Sequence, residues 1–157
     1  MTLLRPILLV EDNLGDIELT LAAWKRHQVA NEIVVARHGG EALDYLLRQG
    51  QFQNRPAGHP VVVFLDLKMP KVDGLEVLRQ MKGDESLKTI PVVMLTSSRE
   101  ESDLLKSYQL GANAYVVKPV GFEQFSDAIR QLGVFWAILN EPPPDRSGIS
   151  PQSPKAG

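Results

Sequence analysis

The chain of 157 residues contains no cysteine. This absence excludes a disulfide framework, a thiolate zinc site and a cysteine nucleophile, and it is in keeping with a reducing cytoplasm. Neither sign of charge is in large excess, since 17 basic residues face 19 acidic ones and the formal net charge is -2. A chain this close to neutral has no general electrostatic field for nucleic acid or an anionic membrane. We therefore expect neither as a partner.

The chain also lacks a long hydrophobic run. Its apolar start, residues 3–10, is broken by Arg5 and Pro6 and leads directly into Glu11, so it is too short for a transmembrane helix and has no signal-peptide cleavage site. We expect a soluble, cytoplasmic protein. The length and the 43% hydrophobic content suit one domain, which we place at residues 1–140. Residues 141–157 are rich in proline, and we expect a disordered tail with no output domain after it.

Short apolar segments alternate with amphipathic segments of helical length. The apolar segments are rich in β-branched residues and span residues 7–10, 33–36, 61–65, 91–96 and 114–117. Runs this short and apolar are typical of buried parallel strands. The pattern predicts five βα units, and right-handed crossovers place helices on both faces of one parallel sheet.

The amphipathic segments predict the apolar side of each helix. In the fourth helix this side consists of Leu104, Leu105 and Tyr108. The last helix, predicted over residues 121–139, carries one apolar stripe, which consists of Phe122, Phe125, Ile129, Leu132, Trp136 and Leu139. Residues 50–60 have no periodicity and predict a surface loop that is long for its position.

Four of the predicted strands end in residues that handle phosphate or metal. These residues are Glu11 and Asp12 after the first strand, Asp66 after the third, Thr96 at the end of the fourth and Lys118 after the fifth. Because the carboxyl ends of parallel strands meet at one edge, where open α/β sheets bind ligands, we expect the side chains to converge. Each residue alone is more often a helix cap or faces water. Independent caps would not produce this combination.

The predicted cluster has a chemical consequence. Three carboxylates in a partly buried cleft repel one another unless a cation lies among them, and all-oxygen ligands favour Mg²⁺. Asp66 then becomes a candidate nucleophile that takes a phosphoryl group to form an aspartyl phosphate. Lys118 supplies positive charge and Thr96 a hydroxyl donor for the phosphoryl oxygens.

The motifs around these residues resemble the receiver domains of response regulators in two-component signalling. The motifs are LLVEDN at residues 8–13, LDLKMPKVDG at 65–74, VVMLTSS at 92–98 and YVVKP at 115–119, in the family's order and with near-family spacing. The resemblance covers residues 5–132. It implies a flavodoxin-like, doubly wound (βα)5 fold with strand order 2-1-3-4-5. It also implies a signalling protein rather than an enzyme, which takes a phosphoryl group from a histidine kinase and catalyses only its own phosphorylation and dephosphorylation.

The resemblance assigns metal and acceptor roles to single residues. Asp66 is the phosphoacceptor and a metal ligand, Asp12 is a direct Mg²⁺ ligand and Glu11 is a ligand through water. The backbone carbonyl of Lys68 is a further ligand. By the same resemblance, the side chains of Lys68 and Ser98 tune hydrolysis of the aspartyl phosphate by controlling the attacking water.

The resemblance also implies a switch. Thr96 and Lys118 bind the phosphoryl group, and a cis peptide before Pro119 aims the Lys118 side chain into the site. Tyr115 occupies the position of a switch aromatic whose ring turns inward when Thr96 moves toward the phosphoryl group, although the same tyrosine also fits an ordinary half-buried strand position. The switching face then consists of the fourth helix, the fifth strand and the fifth helix.

The end of the last helix is more apolar than one inward stripe requires. Val134, Phe135 and Ile138 lie outside the stripe beside Trp136, and such surface favours a partner. We predict a homodimer or partner surface at these four residues; the alternative is that they fold back onto their own core. This end and the loop at residues 50–60 resemble the stand-alone regulators that accompany bacterial phytochrome histidine kinases, which implies a bacteriophytochrome as the kinase.

Two other functions fit the sequence less well than a receiver domain that switches, and a third fits it equally well. A phosphatase of the haloacid-dehalogenase type places a second aspartate two residues after its nucleophile, where this chain has Lys68. A flavin mononucleotide binder requires a glycine-rich loop after the first strand, whose backbone amides bind the phosphate. In this chain Glu11 and Asp12 lie there and would repel phosphate. A receiver that acts as a phosphate sink or scaffold, and so as a binding module, has the same sequence features as a switch.

Overall fold

The computed structural model describes residues 4–145; the tail predicted beyond them lies outside this range. The strands are β1 (Ile7–Val10), β2 (Ile33–Ala36), β3 (Val62–Leu65), β4 (Val92–Thr96) and β5 (Ala114–Val117). The helices are α1 (Leu14–Arg26), α2 (Gly39–Leu47), α3 (Gly74–Gly83), α4 (Glu101–Gln109) and α5 (Phe122–Val134). A 3₁₀ turn, Gly50–Phe52, follows α2, and α5 continues into a π-helical turn, Phe135–Leu139.

The strands form one parallel sheet in the order β2-β1-β3-β4-β5. The predicted strand order and doubly wound fold are thereby confirmed. The ladders continue one residue past the strands through backbone hydrogen bonds from Glu11 to Ala36 (3.0 Å), from Asp66 to Val10 (3.0 Å) and from Lys118 to Thr96 (2.7 Å). These bonds fix the backbones of the three residues at the same edge of the sheet.

Helices cover both faces of the sheet, which is why β1, β3 and β4 are buried throughout. Alternate residues of β1 point to opposite sides: Leu8 joins the core under α2 and α3, whereas Leu9 joins the core under α1 and α5. Trp24 of α1 packs on Phe64 with ring centroids 5.2 Å apart. Its indole N–H donates to the Ile129 carbonyl of α5 at 2.8 Å, which ties the two helices together.

The backbone that carries Asp66 lies against the first turn of α3. A β-carbon at Gly74 would lie 2.2 Å from the Asp66 carbonyl oxygen, so only glycine permits this approach. The Asp73 carboxylate caps the helix by accepting from the Glu76 amide at 2.9 Å. The position of Asp66 therefore depends on how the loop after β3 joins α3.

The apolar side predicted for the fourth helix faces solvent rather than the core. Leu104, Leu105 and Tyr108 face outward, with Leu105 59% exposed, while Asp103 and Ser107 are buried. The polar pair is accommodated because the Ser107 hydroxyl donates to the Asp103 carbonyl at 2.8 Å and the Asp103 side chain has its own partners. The three apolar side chains instead line a surface cavity of about 620 Å³.

The last helix matches its prediction only in its middle. Phe125 and Ile129 are buried, but Phe122 is 63% exposed and Leu139 is exposed as well. The regular α-helix ends at Val134, and the π-helical turn that follows rotates the later side chains away from the straight stripe. The helix therefore covers the sheet with fewer apolar residues than the sequence offers.

Two arginines hold the segments at the opposite, amino-terminal edge of the sheet. Arg55 stacks over the Tyr45 ring at 4.1 Å and donates to the Gly58 carbonyl at 3.0 Å, which orders part of the predicted loop. Arg5 donates to the Pro143 carbonyl at 3.2 Å and lies 3.9 Å from the Asp145 carboxylate. Residues 141–145 therefore lie against the domain, and the boundary at residue 140 stays a prediction.

Within residues 4–145 no helix combines the length and the hydropathy needed to cross a membrane.

Candidate phosphoacceptor site

Three carboxylates meet at the carboxyl edge of the sheet. Glu11, Asp12 and Asp66 each offer one oxygen, and these oxygens all lie within 4.8 Å of one another. Glu11 and Asp66 are buried, while Asp12 is more open to solvent. The residues come from the loops after β1 and β3, which are neighbours in the sheet. Adjacent strand ends thus bring together the three acids that the sequence analysis selected.

The buried ammonium of Lys118 lies among these acids. It contacts the Glu11 carboxylate, lies 2.8 Å from Asp16 and lies 3.5 Å from Asp66. Asp16 was not selected from the sequence; the available signal was its place in the first turn of α1, directly beyond the loop that carries Asp12. The ammonium is therefore the counter-ion of the cluster.

The prediction of a cis peptide before Pro119 is wrong, because the structure has no cis peptide bond within residues 4–145. Lys118 reaches the acids with this peptide in trans. Its direction is set by the backbone bond to Thr96 and by its ionic contacts with Glu11 and Asp16.

Burial and crowding perturb the charges of this cluster. Burial raises the pKa of Glu11, and the neighbouring Asp66 adds to the rise while Lys118 opposes it. Burial on its own would lower the pKa of Lys118, but its bonds to Asp16 and Glu11 outweigh that effect and raise it. The anionic acids therefore depend on nearby positive charge.

The donor set fits a hard divalent cation. Three carboxylate oxygens within 4.8 Å of one another make up an oxygen-only site of the kind that Mg²⁺ and Mn²⁺ favour. Burial, together with the neighbouring Asp66 carboxylate, raises the pKa of Glu11 and so disfavours its anionic form. A cation at this position would relieve that repulsion and free Lys118 for another anion.

Thr96 and Tyr115 are connected through Ser98. Thr96 is fully buried, and its hydroxyl oxygen accepts from the Ser98 amide at 3.2 Å. Tyr115 is half-buried, and its hydroxyl donates to the Ser98 carbonyl at 3.1 Å. The threonine hydroxyl is thus bound to the loop between β4 and α4.

Lys68 and Ser98 both contact Asp103, a residue that sequence reasoning missed. The Ser98 hydroxyl donates to the Asp103 carboxylate at 2.6 Å, and the Lys68 ammonium lies 3.4 Å from the same oxygen. Asp103 follows Thr96 by seven residues, outside the motifs that guided the sequence analysis. A carboxylate in the first turn of a helix is an ordinary feature, so the sequence carried no sign of its contacts.

The four residues predicted as a dimer or partner surface divide into two pairs. Phe135 and Ile138 are 47% and 61% exposed. Val134 and Trp136 are half-buried, and Trp136 packs against the core under α1 and α5. The Phe135 and Trp136 rings meet edge to face with centroids 5.1 Å apart. Folding back onto the core thus accounts for Trp136 but leaves Phe135 and Ile138 uncovered.

Comparison with known proteins gives the class to which this fold and site belong. A family model for the response regulator receiver domain matches residues 7–130. Response regulator Rcp1 of Synechocystis sp. (strain ATCC 27184 / PCC 6803 / Kazusa) is 38% identical over 130 residues, which are 83% of this chain and 87% of Rcp1. The chain therefore belongs to the response regulator receiver domain family.

Solved structures of related regulators have the same fold. The bacteriophytochrome response regulator AtBRR is 67% identical, with a TM-score of 0.72 over 89% of this chain and 100% of its own. The phosphorylated cyanobacterial phytochrome response regulator RcpA is 38% identical, with a TM-score of 0.84 over 90% of this chain and 99% of its own. The Mn²⁺-bound form of Rcp1 has a TM-score of 0.83 at 36% identity and covers 89% of this chain and 99% of its own.

Substitution of Lys118 by methionine tests the charge balance at this edge. Removing one partner of a buried ion pair leaves uncompensated charge, so we expect the free energy of unfolding of metal-free protein to fall by about 3–5 kcal/mol. Addition of Mg²⁺ should restore part of the loss. Urea denaturation with and without a chelator measures both effects.

The exposed Lys25 of α1 provides the matched control. Lys25→Met should change the same free energy by less than about 0.5 kcal/mol. Equal stability of the two variants without metal would contradict a counter-ion role for Lys118.

Proposed function

We propose that this protein is a stand-alone response regulator that accepts a phosphoryl group on Asp66 from a phosphohistidine of a sensor histidine kinase. The single observation that carries the proposal is the convergence of three carboxylates with the Lys118 ammonium at Asp66. Asp66 is the proposed acceptor because its carboxylate lies 3.5 Å from the Lys118 ammonium and within 4.8 Å of the other two acids. The protein acts in signalling, and its chemistry is confined to its own phosphorylation and dephosphorylation.

The transfer is a displacement at phosphorus. An Asp66 carboxylate oxygen attacks the phosphorus atom, the bond between phosphorus and the kinase imidazole nitrogen breaks, and that nitrogen keeps the electron pair and takes up a proton. Lys118 is 3.5 Å from Asp66 and meets the charge on the phosphoryl oxygens by leaving Glu11. Thr96 donates its hydroxyl to another of these oxygens.

Glu11, Asp12 and Asp66, with the Lys68 backbone carbonyl, would hold Mg²⁺, which would neutralise charge on the phosphoryl oxygens during transfer. The carboxylate geometry and the elevated pKa of Glu11 support this assignment. The Mn²⁺ bound by the relative Rcp1 supports it as well. The side chains of Lys68 and Ser98 are proposed to tune hydrolysis of the aspartyl phosphate.

Phosphorylation is proposed to switch the face formed by α4, β5 and α5. A phosphoryl group adds about one negative charge and draws Thr96 off the Ser98 amide. Tyr115 then loses its carbonyl partner and its ring turns inward. The exposed Leu104, Leu105 and Tyr108 give this face an apolar surface for a partner. This connected set of bonds favours a switch over the alternative of a phosphate sink or scaffold.

The kinase partner is proposed to be a bacteriophytochrome, and the regulator a homodimer. AtBRR, a bacteriophytochrome response regulator, supports the first assignment through its 67% identity. The exposed Phe135 and Ile138 support the second, because a second copy would cover them. The proposed location is the cytoplasm. Nucleic acid and membranes are not among the proposed partners. The domain boundary at residue 140 is likewise part of the proposal.

Incubation with Mg²⁺ and acetyl phosphate tests the acceptor assignment. We expect intact mass spectrometry to show one acid-labile phosphoryl group on the parent, none on Asp66→Asn, and none on the parent when a chelator removes Mg²⁺. Asp12→Asn should slow the reaction at least tenfold because it removes a proposed direct ligand, whereas the exposed acid variant Glu18→Gln should match the parent. An equal adduct on the parent and on Asp66→Asn would refute the proposal.

Substitution at the exposed half of the partner surface tests the homodimer. We expect the double variant Phe135→Ser, Ile138→Ser to be monomeric by light scattering at a concentration where the parent is dimeric. Trp136 is left intact because it also packs on the core. The control is Leu105→Ser, an exposed apolar position on α4, which should stay dimeric. If the double variant is still dimeric, Phe135 and Ile138 do not form the dimer surface and their role lies within one chain.

A further inference from the structure

Asp103 is a buried acid that the proposed phosphoryl chemistry leaves without a role. It lies in the first turn of α4 and is 7% exposed. Its carboxylate accepts from the Ser98 hydroxyl at 2.6 Å and lies 3.4 Å from the Lys68 ammonium. The Ser98 hydrogen bond, assisted by Lys68, holds the pKa of Asp103 below its ordinary value. The residue is therefore charged at neutral pH and is stabilised by these two partners.

Ser98 connects this carboxylate to both residues of the proposed switch. All three of its polar groups are engaged: the amide donates to Thr96, the carbonyl accepts from Tyr115 and the hydroxyl donates to Asp103. A movement of Thr96 away from the Ser98 amide therefore disturbs a loop residue that Asp103 anchors to α4.

Lys68 connects the same carboxylate to the acceptor residue. It follows Asp66 by two residues and is exposed, so its long side chain is free to change partner. In the unphosphorylated protein its ammonium lies on Asp103. A phosphoryl group on Asp66 would present a second anion to that ammonium. Asp103 and the phosphoryl group thus compete for one cation.

We propose that Asp103 is a positioning residue that holds Ser98 and Lys68 in their unphosphorylated arrangement and thereby opposes phosphorylation of Asp66. The inference rests on the proposed function, since it concerns regulation of the same site. Loss of the Asp103 carboxylate releases Ser98, and with it Thr96, toward the acceptor. In the variant, phosphorylation of Asp66 no longer has to break the contacts of Asp103 with Ser98 and Lys68, so the phosphorylated arrangement is reached at a lower cost in free energy.

The rate of phosphorylation by acetyl phosphate and Mg²⁺ tests this role. We expect Asp103→Ala to be phosphorylated about tenfold faster than the parent, as expected for the loss of hydrogen bonds to a charged group. Asp103→Asn keeps an oxygen for Ser98 but no charge for Lys68, so its rate should lie between the two. Glu101→Gln, at an exposed acid of the same helical turn, should match the parent. Intact mass followed over time gives all four rates.

Amide hydrogen exchange in metal-free, unphosphorylated protein supplies a readout that does not depend on phosphorylation. The amides of Ser98 and Glu100 donate to the Thr96 and Ser98 hydroxyl oxygens at 3.2 and 3.3 Å. Both should exchange about tenfold faster in Asp103→Ala, while the Asp66 amide, which donates to a β1 carbonyl, should keep its protection. Ser98→Ala breaks the same connection from the loop side and serves if Asp103→Ala fails to fold.

The outcomes separate this inference from the proposed function. A parent protein that takes no phosphoryl group would refute the proposed function itself. A phosphorylated parent whose rate is matched by Asp103→Ala and Ser98→Ala would overturn the positioning role and leave the acceptor assignment in place. Faster loop exchange at an unchanged phosphorylation rate would overturn it too, because Asp103 would then be purely structural.

Discussion

One ammonium, that of Lys118, lies among the buried acids at the carboxyl edge of the sheet, and the proposed chemistry depends on this charge balance. Glu11 and Asp66 are buried within 4.8 Å of Asp12, an arrangement that costs free energy without a cation. Lys118 supplies the cation when the protein is free of metal. A divalent ion would take over that task. The same ammonium would then be available for a phosphoryl group, so the proposed metal binding and phosphoryl binding would be coupled through one side chain.

Backbone geometry makes this charge cluster possible. The ladders reach one residue past β1, β3 and β5, so Glu11, Asp66 and Lys118 are held by backbone hydrogen bonds. Gly74 allows α3 to begin against the Asp66 carbonyl. The proposed acceptor, Asp66, is therefore held by backbone hydrogen bonds at the sheet edge, whereas the groups proposed to move are side chains or belong to the loop between β4 and α4. That loop is anchored through Ser98 to α4, the helix whose apolar side chains face solvent.

The strands followed from the sequence because short β-branched runs with helical spacers are typical of a parallel sheet, whereas their order followed from the family resemblance. The acid cluster followed for the same reason, since strand ends converge. The face of α4 did not follow: helical periodicity identifies an apolar stripe at Leu104 and Leu105 but not whether the core or a partner covers it. Asp103 and Asp16 were not identified from the sequence, because their contacts with Ser98, Lys68 and Lys118 form only in the folded protein. The trans peptide before Pro119 also differs from what the family resemblance implied.

In the proposed mechanism, Lys118 and Thr96 exchange their present partners for a phosphoryl group on Asp66. A crystal structure of the protein with Mg²⁺ and beryllofluoride, which mimics the phosphoryl group on an aspartate, tests this most directly. We expect the Lys118 ammonium to leave Glu11 and the Thr96 hydroxyl to leave the Ser98 amide, and each to lie within hydrogen-bond distance of a fluorine. A beryllofluoride adduct on Asp66 with Lys118 still on Glu11 and Thr96 still on Ser98 would contradict it.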